Sequence, residues 1–407
     1  MNVDSEPKVA SLLQYVAATI PFYVARLRQV EQPTLCEFPI MTRQDAQVNF
    51  DALVAPGVSV AECVVEYTTG STGEPLVCIK SRREAMLCQR RLWRWRGRWL
   101  ADPLSARLFA FASNYALPPD TGVPTRRPPG SYYGSLIVSY VTPREVTEEA
   151  PHAIIDRIIA SRANWIRGTP SLLEHFAERV SAAEAARLRD ARISFVECTG
   201  ENLSEAVRQQ LSTTFGARIV NLYAAREVWP IACECEFGTL HTEEGHVRLE
   251  LLNENQYERG GEVCVTALNL RTFPFVRYAL GDVVELSSDG CGCGRNGEIV
   301  KSIRGRVGQM FSIGRHKYSA NVFSDAVKEA TALGFVALGR FQVFERHEGS
   351  FVYRIERRAA LSGGEEEYLS KRLTERLGRT IVIAIEWCDE IPAQTGEKRT
   401  FFFGKGD

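Results

Sequence analysis

The sequence predicts an α/β protein: a large N-terminal domain with mixed sheets, followed by a small α+β domain. Three observations predict it. Apolar strand-like runs alternate with helical runs through the middle of the chain, as in a buried sheet covered by helices. The 407 residues are enough for two or three domains. Past Gly305 the pattern restarts as β runs and helices with a core of their own. We therefore expect one domain over 1–305 and a second over 306–407.

The elements follow in order. Residues 8–30 read as a helix interrupted at Pro21, because proline removes a backbone donor. "ECVVEYTT" reads as a strand running into a loop, and "SRREAMLCQRRLWRWRGRWLA" reads as a helix. Strand-like runs at Leu108–Ala112, Ile193–Cys198 and Arg218–Tyr223 alternate with helical ones at Ala153–Arg162, Pro170–Ala183 and Ser204–Phe215. From Gly245 to Leu286 the chain is strands and turns. The C-terminal part has a helix at Ser324–Ala332, β runs "FVALGRFQVFE" and "SFVYRIER", a helix at Glu365–Leu377 and a strand "TIVIAIEW". In that last helix Tyr368, Leu369, Arg372, Leu373 and Leu377 share a face. Pro118 to Gly130 is Pro/Gly-rich and reads as a surface loop or a lid.

Composition narrows the function. Hydrophobic residues at 45% and charged ones at 24% are an ordinary globular balance. A net charge of −1 gives no global attraction to nucleic acid or anionic lipid. No apolar run approaches the ~20 residues of a membrane span. "LLQYVAATIPFYVARL" is broken by Pro21 and Arg26 and lacks the basic start of a signal peptide. A cytoplasmic protein with mostly reduced cysteines is expected. The run "RRLWRWRGRW" interleaves basic and aromatic residues as a nucleic-acid platform would. With no net positive charge, an amphipathic helix with packed tryptophans and snorkelling arginines is the better reading.

Several motifs carry chemistry. "YTTGSTGEPL", Tyr67 to Leu76, packs hydroxyls and glycines into a turn that could cradle phosphate oxygens with main-chain N–H groups. It could equally be a tight hairpin. "TGE" at Thr199 to Glu201 and "NLYAARE" at Asn221 to Glu227 follow strands, where an α/β sheet gathers ligand. "RYALGD" ends a strand with Asp282, whose carboxylate could accept hydrogen bonds from ribose hydroxyls or simply finish a turn. Cys235, His241, Cys291 and Cys293 offer three thiolates and an imidazole, a sound tetrahedral Zn²⁺ set. Cys233 could replace Cys235, and the alternative is a knot of reduced thiols.

Taken together and in order, "YTTGSTGEP", "GTPS", "CTGE", "NLYAARE", "RYALGD", "RGRVGQ" and "TGEKR" resemble the motif series of the adenylate-forming superfamily. The phenylacetate–coenzyme A ligase branch is the most similar, on "LQYVAATIPFYVARL", "FPIMTRQDAQVNF", "CECEFGTLHTEEG" and "CGCGRNGEIVKSIRGRVG". The resemblance covers roughly Leu13 to Phe403. It implies an adenylation domain with a small mobile C-terminal lid, and ATP-dependent activation of a small, aromatic carboxylic acid. The acid becomes an acyl-adenylate with release of pyrophosphate, then a coenzyme A thioester. By the same resemblance, Thr69, Gly70, Ser71, Thr72 and Gly73 hold the β/γ-phosphates. Gly200 and Glu201 border the adenine, and Tyr223, beside Ala224, stacks on it. Glu227 binds Mg²⁺. Asp282 holds the ribose, with Arg306 near it at a hinge, and Lys398 reaches in during adenylation. The helix after the phosphate loop lies near the acyl pocket and dimer contact in such ligases, which allows for a homodimer.

The sequence departs from that series in places. Glu74 stands where a lysine is usual, and Ala224 and Arg226 replace a glycine and a hydroxyl residue. Gly308 and Gln309 replace two acids, and Glu397 precedes Lys398. Arg226 is expected to replace the phosphate contact of the missing hydroxyl and the charge missing at position 74. The departures keep two alternatives open: a carrier-protein thiol or an amine as acyl acceptor, and a nucleotide-binding protein that has lost catalysis.

Overall fold

In the computed structural model, residues 7–27, 33–68, 75–102, 106–111, 136–295, 297–377, 381–391 and 401–404 are described. Thr69, Gly70, Ser71, Thr72, Gly73 and Glu74, the segment Pro118 to Gly130, and Glu397, Lys398, Arg399 and Lys405 lie outside them. The chain forms two compact units. The first is Met1–Glu250, Cys264–Leu280 and Leu286–Lys301, and the second is Leu251–Val263, Gly281–Glu285 and Ser302–Asp407.

The N-terminal helix breaks where proline dictates, into Pro7–Thr19 and Pro21–Val24. Strands β1 (Val64–Tyr67) and β2 (Val77–Lys80) form an antiparallel hairpin, with Val64 opposite Lys80 and Glu66 opposite Cys78. Thr68 N–H donates to the Leu76 carbonyl at 2.9 Å, extending the pairing by one step past Tyr67 and Val77.

The main sheet takes β3 (Arg107–Phe111), β4 (Leu136–Val141), β5 (Trp165–Gly168), β6 (Phe195–Thr199), β7 (Arg218–Ala225), β8 (Trp229–Glu234) and β9 (Leu240–Thr242). It continues through β10 (Val247–Leu252), β11 (Gly261–Ala267), β12 (Tyr278–Ser287) and β13 (Ile299–Arg306). Among the described residues their order is β10-β11-β12-β13-β9-β8-β7-β6-β5-β3-β4. Strands β4, β3, β5, β6 and β7 run parallel, whereas β8 returns antiparallel to β7. The sheet is therefore mixed, as the sequence predicts. The boundaries between the units fall within β10, β11, β12 and β13.

Helices cover the parallel part. Ser81 and Glu84 cap the helix Arg82–Arg96 reciprocally, satisfying donors that the helix start leaves unpaired. Glu84 also accepts from the Thr272 N–H at 2.9 Å, which ties the helix start to the connection between β11 and β12. Ala85, Cys88, Leu92 and Trp95 bury one stripe of it. Each large side chain there is worth about 1.5–3 kcal/mol. Where one helix is expected over Pro170–Ala183, there are two, Pro170–Arg179 and Ala182–Asp190. Ser181 interrupts the run and caps the second through Glu184. The opposite face of the sheet packs Phe109, Ile155, Ile166, Phe176, Val196 and Phe215 into a second core.

In the second unit β14 (Met310–Ile313) and β15 (His316–Ser319) form a hairpin. Strands β16 (Leu338–His347), β17 (Ser350–Arg357), β18 (Val382–Cys388) and β19 (Phe402–Phe403) form a sheet in the order β18-β17-β16-β19. The helices Asn321–Ala332 and Glu365–Leu377 are joined by Arg372 on Glu329 and Arg376 on Asp325. Leu369, Leu373 and Leu377 enter the core beside Phe311, Phe323, Phe351 and Phe402. Arg372, on the expected face, pairs at the rim instead. Among the described residues no helix is long and apolar enough to cross a membrane.

Candidate active site

The turn from β7 into β8 carries Arg226 and Glu227, and the first unit grips it from several sides. Glu227 is buried, and the Tyr278 hydroxyl donates to its Oε1 at 3.1 Å. Burial first, then the Glu227 charge, pushes the Tyr278 phenol well above its ordinary value. The hydroxyl thus stays a donor. Lys80, wholly buried, donates from Nζ to the Arg226 carbonyl at 2.6 Å and to Glu66 Oε2 at 3.2 Å. Arg226 Nη1 donates to Glu66 Oε1 at 3.2 Å, and Trp229 Nε1 donates to Glu66 Oε2. Lys80 Nζ lies 5.3 Å from the Trp229 ring centroid, within cation–π range. Trp229 itself has φ +70°, a conformation that costs a non-glycine residue roughly 1–2 kcal/mol. Such a residue persists only where its surroundings over-determine it.

Adjacent strands bring the other predicted residues to the carboxyl ends of β6 and β7. Gly200 takes φ +86°, a turn that glycine makes without steric penalty. Glu201 accepts from the Ser171 N–H at 3.0 Å and the Ser171 hydroxyl at 2.9 Å. Its carboxylate therefore sits at the start of the helix Pro170–Arg179, where a negative charge is favoured. Tyr223 is buried in β7 opposite Ala232, and Ala224 is half-buried beside it.

The arginine/tryptophan run forms a helix, but one arginine does not snorkel. Arg96 is buried and pairs bidentately with the fully buried Glu197, at 2.7 and 2.8 Å. Arg167 approaches the same carboxylate at 3.3 Å. Burial alone would raise the Glu197 carboxyl, but the guanidinium groups outweigh it and hold it below its ordinary value. The expectation of a solvated arginine face fails at this position because Glu197 offers a buried countercharge. Trp95 packs as expected, with Nε1 on the Glu234 carbonyl at 2.6 Å.

In the second unit Arg306 Nε, at the end of β13, lies 2.8 Å from Asp282 Oδ1. Asp282 does not end a strand or finish a turn, as its sequence suggests: it sits inside β12, which begins at Tyr278 and runs on to Ser287 beside β13. Asp282 is buried while Arg306 is exposed. Gly281, just before Asp282, takes φ +81°.

The four predicted metal ligands converge in the first unit. The donor atoms of Cys235, His241, Cys291 and Cys293 all lie within 4.8 Å of one another. Cys235 and Cys291 sulfurs are 3.7 Å apart, and Cys293 Sγ is 3.3 Å from His241 Nε2. A tetrahedral ion with Zn–S of about 2.3 Å separates its sulfurs by about 3.8 Å, so the set fits zinc. The Cys293 N–H, and then the Thr239 hydroxyl, hold the Cys291 thiol down to about 6. Burial and the neighbouring thiols push Cys293 up to about 12. The pair resists holding two thiolates until a cation balances them. Cys233, the alternative ligand, is instead buried in the core cluster that also holds Leu92 and Leu222.

The whole described chain matches solved ligases in fold. A 2-hydroxyisobutyryl-CoA ligase in its postadenylation state, in complex with an acyl-AMP, has a TM-score of 0.74 at 17% identity, covering 98% of this chain and 88% of that one. The chain has the fold of the adenylate-forming ligases. An open form of that ligase with acyl-AMP and CoA gives 0.66 at 15% identity, covering 97% and 89%. An anthranilate CoA ligase in complex with anthranoyl-AMP gives 0.55 at 15% identity, covering 84% and 66%. In sequence the chain is similar to the phenylacetate-coenzyme A ligase of Thermus thermophilus, 27% identical over 202 residues. That match spans 46% of this chain and 43% of the ligase, less than half its length. No family model matches the chain.

Within this fold, sequence reasoning missed the supports of the Glu227 turn: Glu66, Lys80, Trp229 and Tyr278. One signal was available. Lys80 closes an otherwise apolar strand, "VCIK", and a lysine in such a place needs a partner when buried.

Proposed function

We propose that the chain is an AMP-forming acid–thiol ligase, which activates a small, aromatic carboxylic acid with ATP and transfers the acyl group to coenzyme A. The observation that carries this reading is the buried Glu227 carboxylate. Tyr278 holds it on a turn pinned to the stem of the β1–β2 hairpin, within a fold whose solved examples bind acyl-AMP. Mg²⁺ takes one or two carboxylates together with substrate phosphates, and Glu227 would be the protein's share. The ion would supply charge neutralisation at the polyphosphate. Arg226 lies beside Glu227 and is 47% exposed at its side chain. It is the cation on hand where the loop carries Glu74 in place of a lysine. Asp282 would receive the ribose hydroxyls, with Arg306 holding its carboxylate. Tyr223 and the Gly200–Glu201 turn would flank the adenine, and Lys398 would act in adenylation. The small C-terminal lid domain is taken as 306–407.

Cys235, His241, Cys291 and Cys293 would hold a structural Zn²⁺, joining the β8–β9 turn to the 291–293 knuckle. All eleven cysteines are free, in keeping with a cytoplasmic setting.

The test is pyrophosphate exchange over a panel of aromatic and aliphatic acids, followed by product analysis with coenzyme A, amines and carrier proteins. Acid-dependent exchange and a coenzyme A thioester are the expected results. Exchange without a thioester would move the acceptor elsewhere. No exchange with any acid would favour the binding-protein reading.

A further inference from the structure

We propose that the buried Lys80–Glu66 pair is a positioning device for the polyphosphate end of the nucleotide: it fixes the Arg226–Glu227 turn and keeps the Arg226 charge uncancelled. The inference rests on the reading of Glu227 as the Mg²⁺ ligand.

Charge bookkeeping comes first. Glu66 is the carboxylate that Arg226 touches, at 3.2 Å. Were Glu66 the only other charge there, the two would cancel and the turn would offer a polyphosphate nothing. Lys80 removes that cancellation. It is wholly buried, it lies 3.2 Å from the same carboxylate, and its charge balances Glu66. Among these three one positive charge is left over, and it resides on the exposed member, Arg226, while the Glu227 carboxylate is reserved for the Mg²⁺ of the proposed reading.

Geometry comes second. Lys80 also donates to the Arg226 backbone carbonyl at 2.6 Å, the shorter of its two hydrogen bonds. A bond to the main chain sets where residue 226 sits, and with it the path of Glu227. Glu66 adds a second tie by accepting from Trp229 Nε1, two residues past Glu227. Both anchors stand on the β1–β2 hairpin, facing one way across its register. The turn is therefore indexed to the hairpin stem.

Stability alone does not account for the pair. Taking a lysine and a glutamate out of water costs several kcal/mol per ion, and an apolar pair of similar volume often packs as well or better. Lys80 also sits over the Trp229 ring, whose backbone is in the left-handed region. A side chain spent on holding a strained residue beside an acidic turn belongs to placement of that turn.

The experiment compares MgATP and AMP binding by calorimetry, because AMP lacks the β- and γ-phosphates and needs no Mg²⁺. Lys80→Met keeps the side chain's length and drops its charge. It should weaken MgATP binding tenfold or more while leaving AMP within about twofold. Trp229→Phe keeps an aromatic ring under Lys80 and removes the Nε1 bond to Glu66. It should weaken MgATP about threefold with AMP unchanged, and it carries the test should Lys80→Met fail to fold. Equal losses for MgATP and AMP, or no loss for either, in folded variants would overturn the proposal. A wild-type protein that binds AMP but gains nothing from MgATP would overturn the Mg²⁺ role of Glu227 itself.

Discussion

His246 donates a hydrogen bond from Nε2 to the Val228 carbonyl at 2.8 Å, one residue past Glu227. The ring is fully buried, and Asn269 Nδ2 faces Nδ1 at 3.4 Å, which suits the neutral tautomer. Burial first, with Arg91, Lys80 and Lys8 nearby, pushes its pKa down from 6.5 to about 4. Between those two values an unfolded chain holds a proton that the folded chain does not. Stability must then fall as pH drops from 6.5 to 4, and the contribution is intact above 6.5. The full loss is on the order of 3 kcal/mol. His246→Gln lacks this slope. Urea unfolding at pH 7, 5.5 and 4.5 should show the gap between wild type and His246→Gln narrowing as pH falls. A gap that stays constant would mean that His246 titrates normally.

Asp282 and Arg306 make the second prediction. Asp282→Ala should weaken ATP and AMP alike, by about 1.5–3 kcal/mol, the scale of hydrogen bonds to a charged acceptor. The ribose is common to both nucleotides, so the loss separates this residue from Lys80, whose variant should spare AMP. Folding should survive, since Arg306 is half-exposed at its side chain and does not become a buried charge. Unchanged affinity for both nucleotides in a folded variant would place the ribose elsewhere.

The parts of this molecule that were legible in the sequence are those where local chemistry decides the outcome. The helix Glu365–Leu377 could be read from the spacing of Leu369, Leu373 and Leu377. The thiol cluster could be read because metal-binding residue types are few and the glycines around Cys291 and Cys293 let the chain fold back. The split at Ser181 was missed, although "SAAE" carries the capping pair in plain view: the alanine-rich flanks read as one continuous helix. Arg96 was misplaced for a different reason. Its partner Glu197 is about a hundred residues away, and nothing local distinguishes a buried arginine from its solvated neighbours. Lys80 and Glu66 share that difficulty, because their common partner Arg226 lies on a distant turn. Long-range charge pairing is set by topology, which the sequence pattern does not spell out.

The third prediction concerns Lys398, which the resemblance assigns to adenylation. The adenylation transition state gathers negative charge on the α-phosphate and the carboxylate oxygens. A lysine that meets that charge stabilises the transition state more than the bound substrates. Lys398→Ala should cut acyl-adenylate formation by a factor of about 10² or more, the scale of one lost contact of this kind. Thioester formation from synthetic acyl-adenylate should suffer much less. Arg399→Ala and Lys405→Ala serve as register controls, because Glu397 occupies the place of the usual glycine. Loss of adenylation in one of those variants, with Lys398→Ala fully active, would shift the role to the neighbour.

The thiol cluster supports the last prediction. Burial and the neighbouring Cys291 and Cys235 sulfurs push the Cys293 thiol up, yet four ligands already stand within 4.8 Å. A bound cation resolves that conflict, and structural zinc binding adds directly to folding free energy. Purified protein should contain about one zinc per chain. Cys293→Ser should lose the metal and melt lower by about 5 °C, roughly 2 kcal/mol for a domain of this size. The loss should be local to the cluster, so AMP binding at saturating protein concentration should persist below the melting transition. Treating wild type with a strong chelator should reproduce the lower melting point, and adding Zn²⁺ back should restore it for wild type but not for Cys293→Ser. Metal-free wild-type protein that melts where the loaded protein does would reduce the cluster to four reduced side chains in a tight turn.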